Sequence, residues 1–486
     1  MVATLPRDAP ATVAVIDVGK TNVKLAVATV DGRVVEAVSV PNPVRPGPPW
    51  RQHDLAGLGG WVMETLAALC RRHPVATVVA AGHGSGGMLT GEDPDAGDGL
   101  ALPMIDYEQP LPAAVDAAYR PLAGSFYDRG SAIMMAATHQ ARQMLWMEMA
   151  EPEAFAAARW CLGIPQYWAW RLTGRAVSEA TCLGAQSHLW NVPERRFAPI
   201  VAARGWSRLM PPFAPAWGEV GRIRPALAAR HGLPANLSVL AGIHDSSANY
   251  YRYQSAGLAG FTVLSTGTWI VGLSGDTPLE RLARTPGMTL NSDVHGRPVG
   301  GALTMGGREF THVAGPDPAP APVAAATLAR IVERGSMALP SFGSDDGMFP
   351  GSACSGRIEG PPPADPDERK ALAVLYTALL AAECLSALES RGEVVLDGNF
   401  LRDPAFAALV AALRPDQSVV YTLETDGVAA GAALLATHTS RTGPAPLSLA
   451  TPDRLALSPD TLSAYAAAWR ARARQPAATA TRPEEG

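Results

Sequence analysis

Residues 240–253 read Leu240-Ala241-Gly242-Ile243-His244-Asp245-Ser246-Ser247-Ala248-Asn249-Tyr250-Tyr251-Arg252-Tyr253. The apolar run Leu237 to Ala241 leads in and predicts a short strand. Gly242 breaks that run. Ser246, Ser247, Ala248 and Asn249 are small enough to open a helix. Asp245 therefore stands where a strand ends and a helix begins. Ligands approach open α/β sheets at strand ends, and an acid placed there can act as a general base. A plain helix-capping role fits the same position, so the rest of the chain has to decide.

Outward from this stretch, the clearest pattern lies at the start. Thr12 to Asp17 (TVAVID) is a continuous apolar run ending in an acid, as a buried central strand reads. Val18-Gly19-Lys20-Thr21-Asn22 is a turn, Val23 to Val30 a second strand, Asp31-Gly32 a hairpin signal and Val34 to Val40 a third strand. Glycine lets backbone N–H groups approach phosphate oxygens, Thr21 offers a hydroxyl, and Lys24 or Lys20 offers charge. Asp17 suits Mg²⁺, which takes few carboxylates and keeps its water. The Walker A spacing is absent, and an ordinary polar hairpin turn is the bland alternative. The unit recurs after residue 253: Phe261 to Leu264 is a strand, Ser265-Thr266-Gly267-Thr268 a hydroxyl-rich turn, and Trp269 to Leu273 a strand. Two such units half a chain apart predict two related domains, as 486 residues already suggest.

Gly82, Gly84 and Gly87 complete a GxGxxG after the strand Val75 to Ala81. A dinucleotide fingerprint needs a helix next, and Gly91, Asp93, Pro94 and Gly97 oppose one. A loop that brings backbone and His83 to a ligand is the reading, with an NAD-dependent dehydrogenase as the competing class. Met104 to Glu108 sets Asp106 and Glu108 around Tyr107, a pattern suited to sugar hydroxyls or to a solvated edge. Ser131 to Met149 reads as a methionine-rich helix and Ile164 to Leu172 as an aromatic one. Thr289 to Ala302 reads as a hairpin. Asp367 to Leu388 and a segment from Pro404 read as helices, and Gly427 to Thr437 as a small-residue helix. The tail beyond Arg470 is expected to fray.

The net charge of −5 gives no basic face for nucleic acid. Five scattered cysteines form no disulfide framework or zinc spacing. The N-terminus lacks a signal-peptide pattern, and no apolar run reads as long enough to span a bilayer. A cytoplasmic protein without nucleic-acid or membrane partners is expected. The sequence leaves its oligomeric state open, a homodimer included.

AVIDVGKTNVKLAV, GIHDSSAN, LSTGTW and DGVAAGAALLA, in this order and spacing, resemble the FGGY family of carbohydrate kinases over about residues 12 to 470. The resemblance implies an α/β fold of two ribonuclease-H-like domains of the actin-like ATPase group flanking a deep cleft. It implies a sugar-binding domain over 1–253 and an ATP-binding domain over 254–486. It implies Asp245 as catalytic base, Asp17 as the Mg²⁺ carboxylate, and Gly19, Thr21, Asn22 and Lys24 as the first phosphate motif. Thr266, Gly267 and Thr268 match the second phosphate turn. Gly398 and Asn399 fall at the adenosine-binding glycines, although Asp397-Gly398-Asn399 departs from the usual glycine run. Gly427, Ala430 and Gly431 match the small-residue helix near the adenosine. His83, Gly84, Asp106 and Glu108 fall where sugar is held. The implied substrates are ATP and a small-molecule ketose, L-fuculose or L-rhamnulose, with a ketopentose such as ribulose or xylulose as alternative.

Overall fold

The computed structural model describes residues 11–424 and 426–475; the first ten residues and the end of the tail lie outside them. The chain divides into two compact units. The first takes the chain up to Ala259 together with Leu290–Pro298 and Asp426–Leu447; the second takes the remaining segments.

In the first unit, β1 (Thr12–Val18) pairs antiparallel with β2 (Asn22–Thr29), which pairs antiparallel with β3 (Val34–Pro41). On its other side β1 runs parallel to β4 (Val75–Gly82), and β4 runs parallel to β5 (Ser238–Leu240). The resulting order is β5-β4-β1-β2-β3. Alternate residues of β1 enter two separate cores. Ala14, Ile16 and Val18 join α1 (Leu55–Arg72) and α2 (Ile164–Thr173), while Val13 and Val15 join α3 (Asp245–Ser255). A strand covered on both faces must be apolar at every position, which is why TVAVIDV shows no alternation. Each such Val or Ile stabilises the fold by about 1.5–3 kcal/mol.

The second unit repeats this plan. β6 (Thr262–Thr266) pairs antiparallel with β7 (Trp269–Ser274), and β7 pairs with β8 (Pro298–Met305). β6 also runs parallel to β9 (Val394–Gly398), and β9 to β10 (Val419–Tyr421). The ribonuclease-H-like pattern is thus present twice, as the repeated strand–turn–strand units predict. α4 (Gly307–Ala314), α5 (Pro366–Ala387) and α6 (Pro404–Leu413) complete the unit. α5 alone among the described helices is long and apolar enough to cross a membrane, contrary to the sequence reading, but 89% of its most apolar window is buried within the protein.

Three further expectations are corrected. Only Gln140–Ala150 of the segment 131–149 is helical. Arg142 donates to the carbonyls of Met134 and Ala136, and His139 Nε2 accepts the Met134 N–H, so those backbone groups are satisfied without a helix. A helix continues past Arg470 to Ala473, and the rest of the expected frayed tail, beyond residue 475, lies outside the described residues. Trp469 donates to the Ala338 carbonyl, and Arg470 and Arg474 both hold the buried Glu383. Finally, the segment Asp426–Leu447, which carries α7 (Gly427–Ala433), falls in the first unit, not with the second-unit segments before and after it. It packs on α3 so closely that a Cβ on Gly431 would meet the Ala248 carbonyl oxygen at 1.9 Å. Gly431→Leu is therefore expected to cost about 3 kcal/mol through overpacking. A melting temperature equal to wild type would remove this packing role.

Candidate active site

Asp245 is the first residue of α3, directly after the short strand Ile243–His244, which runs parallel to β4. Gly242 makes that turn with φ +85°, and a Cβ there would stand 2.6 Å from the Ala80 carbonyl oxygen. The N-cap position belongs to His244, and Asp245 caps neither of the usual amides. Its Oδ1 instead accepts from the Ser246 N–H at 2.5 Å and lies 3.1 Å from His244 Nε2. Oδ2 has no hydrogen bond among the described residues, and the side chain is 25% exposed. Burial keeps the His244 ring below its ordinary pKa, hence neutral, against the opposing pull of Asp245. Its Nδ1 lies 3.1 Å from Ser247 Oγ, whose hydroxyl donates to the Ser292 carbonyl. The sequence reading passed over His244, although it lies against Asp245.

Asp17, one residue before the end of β1, stands directly across from Lys24 of β2. Burial, then the charges of Asp245 and, against Lys24, of Asp426, push its carboxyl up to about 7. Lys24 donates to Asp426 Oδ1 at 2.7 Å. Asp426 was also missed, although it stands immediately before the small-residue helix. The charges of Asp245, Lys24 and Asp426 all act on Asp17. With Lys24 drawn to Asp426, the lone Asp17 carboxylate suits a divalent cation. Mg²⁺ binds through one or two carboxylates plus water and phosphate oxygens, and no cluster of three or more metal-ligating side chains is present among the described residues.

The turn after β1 is held by its own backbone, Gly19 N–H to the Asn22 carbonyl, and by Asn42, whose amide donates to the Gly19 carbonyl at 2.8 Å. Thr21 and Asn22 face solvent. Lys20 turns away from this turn to pair with Asp106, over the Tyr107 ring. Asp106 is buried, and its second oxygen takes Arg51 Nε at 2.5 Å. Burial raises its carboxyl, but Lys20 and Arg51 win and hold it below the usual carboxylate range. Both oxygens are thus engaged within the protein. Glu108 lies 4.0 Å from Lys20.

His83 follows β4, and Gly87–Thr90 after it is a strand, not the helix a dinucleotide fingerprint requires. Both His83 ring nitrogens are buried and unpartnered among the described residues. Burial, then the neighbouring His53, lowers its pKa to about 3. The ring is therefore neutral, with one donor and one acceptor unmet. Gly84 packs against Ala185, where a Cβ would come within 2.4 Å, and its carbonyl is taken by Gln140.

In the second unit, the Thr266 hydroxyl donates to the Asp397 carbonyl and accepts the Phe400 N–H, which staples β6 to β9. Gly398 has φ +99°, and a Cβ there would clash with the Thr266 carbonyl at 2.1 Å. These two residues build the turn. Gly267, Thr268 and Asn399 line a cavity of about 440 Å³ with Gly307, Arg308 and Phe400. The start of α4 at Gly307 was absent from the sequence reading; the Gly306-Gly307 pair before a helical segment was the available signal.

Comparison with known proteins fits this geometry. Residues 12–250 match the N-terminal domain of the FGGY family of carbohydrate kinases, and residues 258–444 match the carbohydrate kinase FGGY C-terminal domain. A crystal structure of a carbohydrate kinase from Novosphingobium aromaticivorans is 32% identical, covers 96% of this chain and 99% of its own, and superposes with a TM-score of 0.82. The chain belongs to the FGGY family of carbohydrate kinases. This FGGY chain is also similar to an L-fuculokinase of Salmonella typhi, at 27% identity over 290 residues, 57% of this chain and 60% of that protein. The matched stretch therefore spans less than two thirds of that relative. A gluconate kinase from Lactobacillus acidophilus, 16% identical with a TM-score of 0.78 over 96% of this chain and 99% of its own, shares the fold. The two-domain α/β architecture of the FGGY chain is that of the actin-like ATPase group.

Proposed function

We propose that this chain is an ATP-dependent carbohydrate kinase that transfers the γ-phosphoryl group to a ketose hydroxyl, with Asp245 as the base. The observation that carries the reading is the Asp245 carboxylate, anchored through Oδ1 and open at Oδ2. Membership of a family of carbohydrate kinases supports the reaction class.

In this reading, His83 offers its unmet donor and its unmet acceptor, on different edges of the ring, to two polar groups of the sugar, and satisfying a buried polar ring is worth about 1–3 kcal/mol. Asp245 Oδ2 accepts the proton of the attacking hydroxyl as that oxygen bonds to phosphorus and the bond to ADP breaks. The Ser246 N–H and hydroxyl keep Oδ1 engaged, so the base presents one oxygen in one direction. Gly19, Thr21, Asn22 and Lys24 are assigned to phosphate oxygens, and the cavity lined by Gly267, Thr268 and Asn399 to the nucleotide. Asp17 would hold Mg²⁺, which when bound neutralises charge on the transferring group. Thr266, Gly398, Gly427 and Gly431 serve by shaping these segments, and Asp106 by fixing Lys20 and the loop that carries Tyr107.

For the sugar, the likeness to L-fuculokinases supports a 6-deoxy-ketohexose, L-fuculose or L-rhamnulose. In an ATP-coupled screen these two are expected to give the highest kcat/KM, with ketopentoses lower and glycerol poor. Glycerol in first place would refute this assignment of substrate.

A further inference from the structure

The second unit contains a cavity of about 400 Å³ that shares no lining residue with the Gly267–Asn399 cavity. Arg281, Arg357, Arg474 and Glu383 line it, with hydroxyls from Thr285, Ser352, Ser355 and Ser386 and an apolar surface from Met348 and Phe349. Arginines outnumber the carboxylates they pair with. Glu383 is held by Arg470 and Arg474, Glu359 by Arg357 and Arg472, and Glu389 by Arg281 and Arg391. Each carboxylate is thus shared by two guanidiniums, in a chain whose net charge is −5. Excess positive charge concentrated around a concave site calls for an anionic ligand.

The donors narrow the class. Arg357 commits its Nε to Glu359 and Arg474 one Nη to Glu383, while Arg281 commits Nε to the Ala387 carbonyl and Nη1 to Glu389. A guanidinium has five N–H donors in a planar fork that matches phosphate oxygens. The hydroxyls suit a polyol, and the apolar surface suits the C–H face of a sugar. A pocket of this size admits a small metabolite. We infer that this cavity is a binding site for a sugar phosphate, a phosphate monoester on a polyol body. The assignment stands on the cavity and does not rest on the kinase reading.

The test is calorimetric titration of the full chain with D-fructose 6-phosphate as probe, in the presence of a saturating non-hydrolysable ATP analogue. The expected result is binding that persists beside the analogue, is stronger than that of inorganic phosphate and weakens with added salt. Arg281→Ala combined with Arg357→Ala is expected to weaken it about tenfold or more, as loss of charge-assisted hydrogen bonds does, with nucleotide affinity unchanged. If the double variant melts early, Arg357→Gln alone is used, since Arg357 pairs at the surface, and about a threefold loss or more is expected. The inference is overturned by no binding at millimolar probe, by displacement with the analogue, by equal affinity for inorganic phosphate, or by affinity unchanged in the variants.

Discussion

Asp245→Asn is expected to lower turnover by about 10² to 10⁴ while leaving the fold and the binding of sugar and nucleotide in place. A sugar hydroxyl is a weak nucleophile at neutral pH and gains from a base within hydrogen-bond reach. Asparagine retains an oxygen to accept from the Ser246 N–H and hydroxyl, the two donors to Asp245 Oδ1. It places an amide nitrogen where Oδ2 stood, and that atom cannot take a proton. The competing role is helix capping. His244 occupies the cap position, and Asp245 lies one residue inside the helix. There a carboxylate contributes about 0.3–1 kcal/mol through the helix dipole. The two roles thus differ by orders of magnitude in rate and by little in stability. Initial rates and melting curves of the variant and wild type separate them: normal turnover would remove Asp245 as the base.

Asp17→Asn is expected to cost turnover about 10²-fold or more, as loss of one aimed electrostatic contact does, and to raise stability at high pH when divalent cations are chelated. The sign follows from its raised pKa of about 7, against about 3.9 in an unfolded chain. The folded protein holds a proton here that the unfolded chain releases. Stability from this group is complete below about pH 4 and is lost as pH rises toward and through 7. At 1.36 kcal/mol per unit, the wild type loses roughly 2–4 kcal/mol across that window. Asparagine does not ionise and avoids the loss. Melting in EDTA at pH 5 and pH 8 should show the variant gaining on wild type at the higher pH. Added Mg²⁺ should then restore wild type and not the variant. A variant less stable than wild type at pH 8 in EDTA would contradict this account of the acidic group.

The repeated sheets were legible because a strand covered on both faces leaves an unbroken apolar run, and a glycine marks where it turns. TVAVIDV and the run before Gly242 carry that signal within themselves. The position of Asp245 between strand and helix was legible for the same reason, since a strand end, a glycine and small residues are local. What was hidden depends on partners distant in sequence. Nothing in GVAAGAA says that its small side chains admit α3, so α7 was placed with its sequence neighbours. Lys20 and Lys24 are equivalent on paper; Asp106 claims one and Asp426 the other. The Thr266 hydroxyl reads as a phosphate donor until β9 takes it. The helix predicted over 131–149 loses its first half to Arg142 and His139, whose targets no periodicity reveals.

The most direct test of the account is ³¹P NMR of the full chain incubated with ATP, Mg²⁺ and, in turn, each of a panel of ketoses. The account predicts a new phosphate-monoester resonance, formed together with ADP, that requires the sugar and falls with Asp245→Asn by the factor given above. ATP left intact, or broken down only to inorganic phosphate with every ketose, would contradict it.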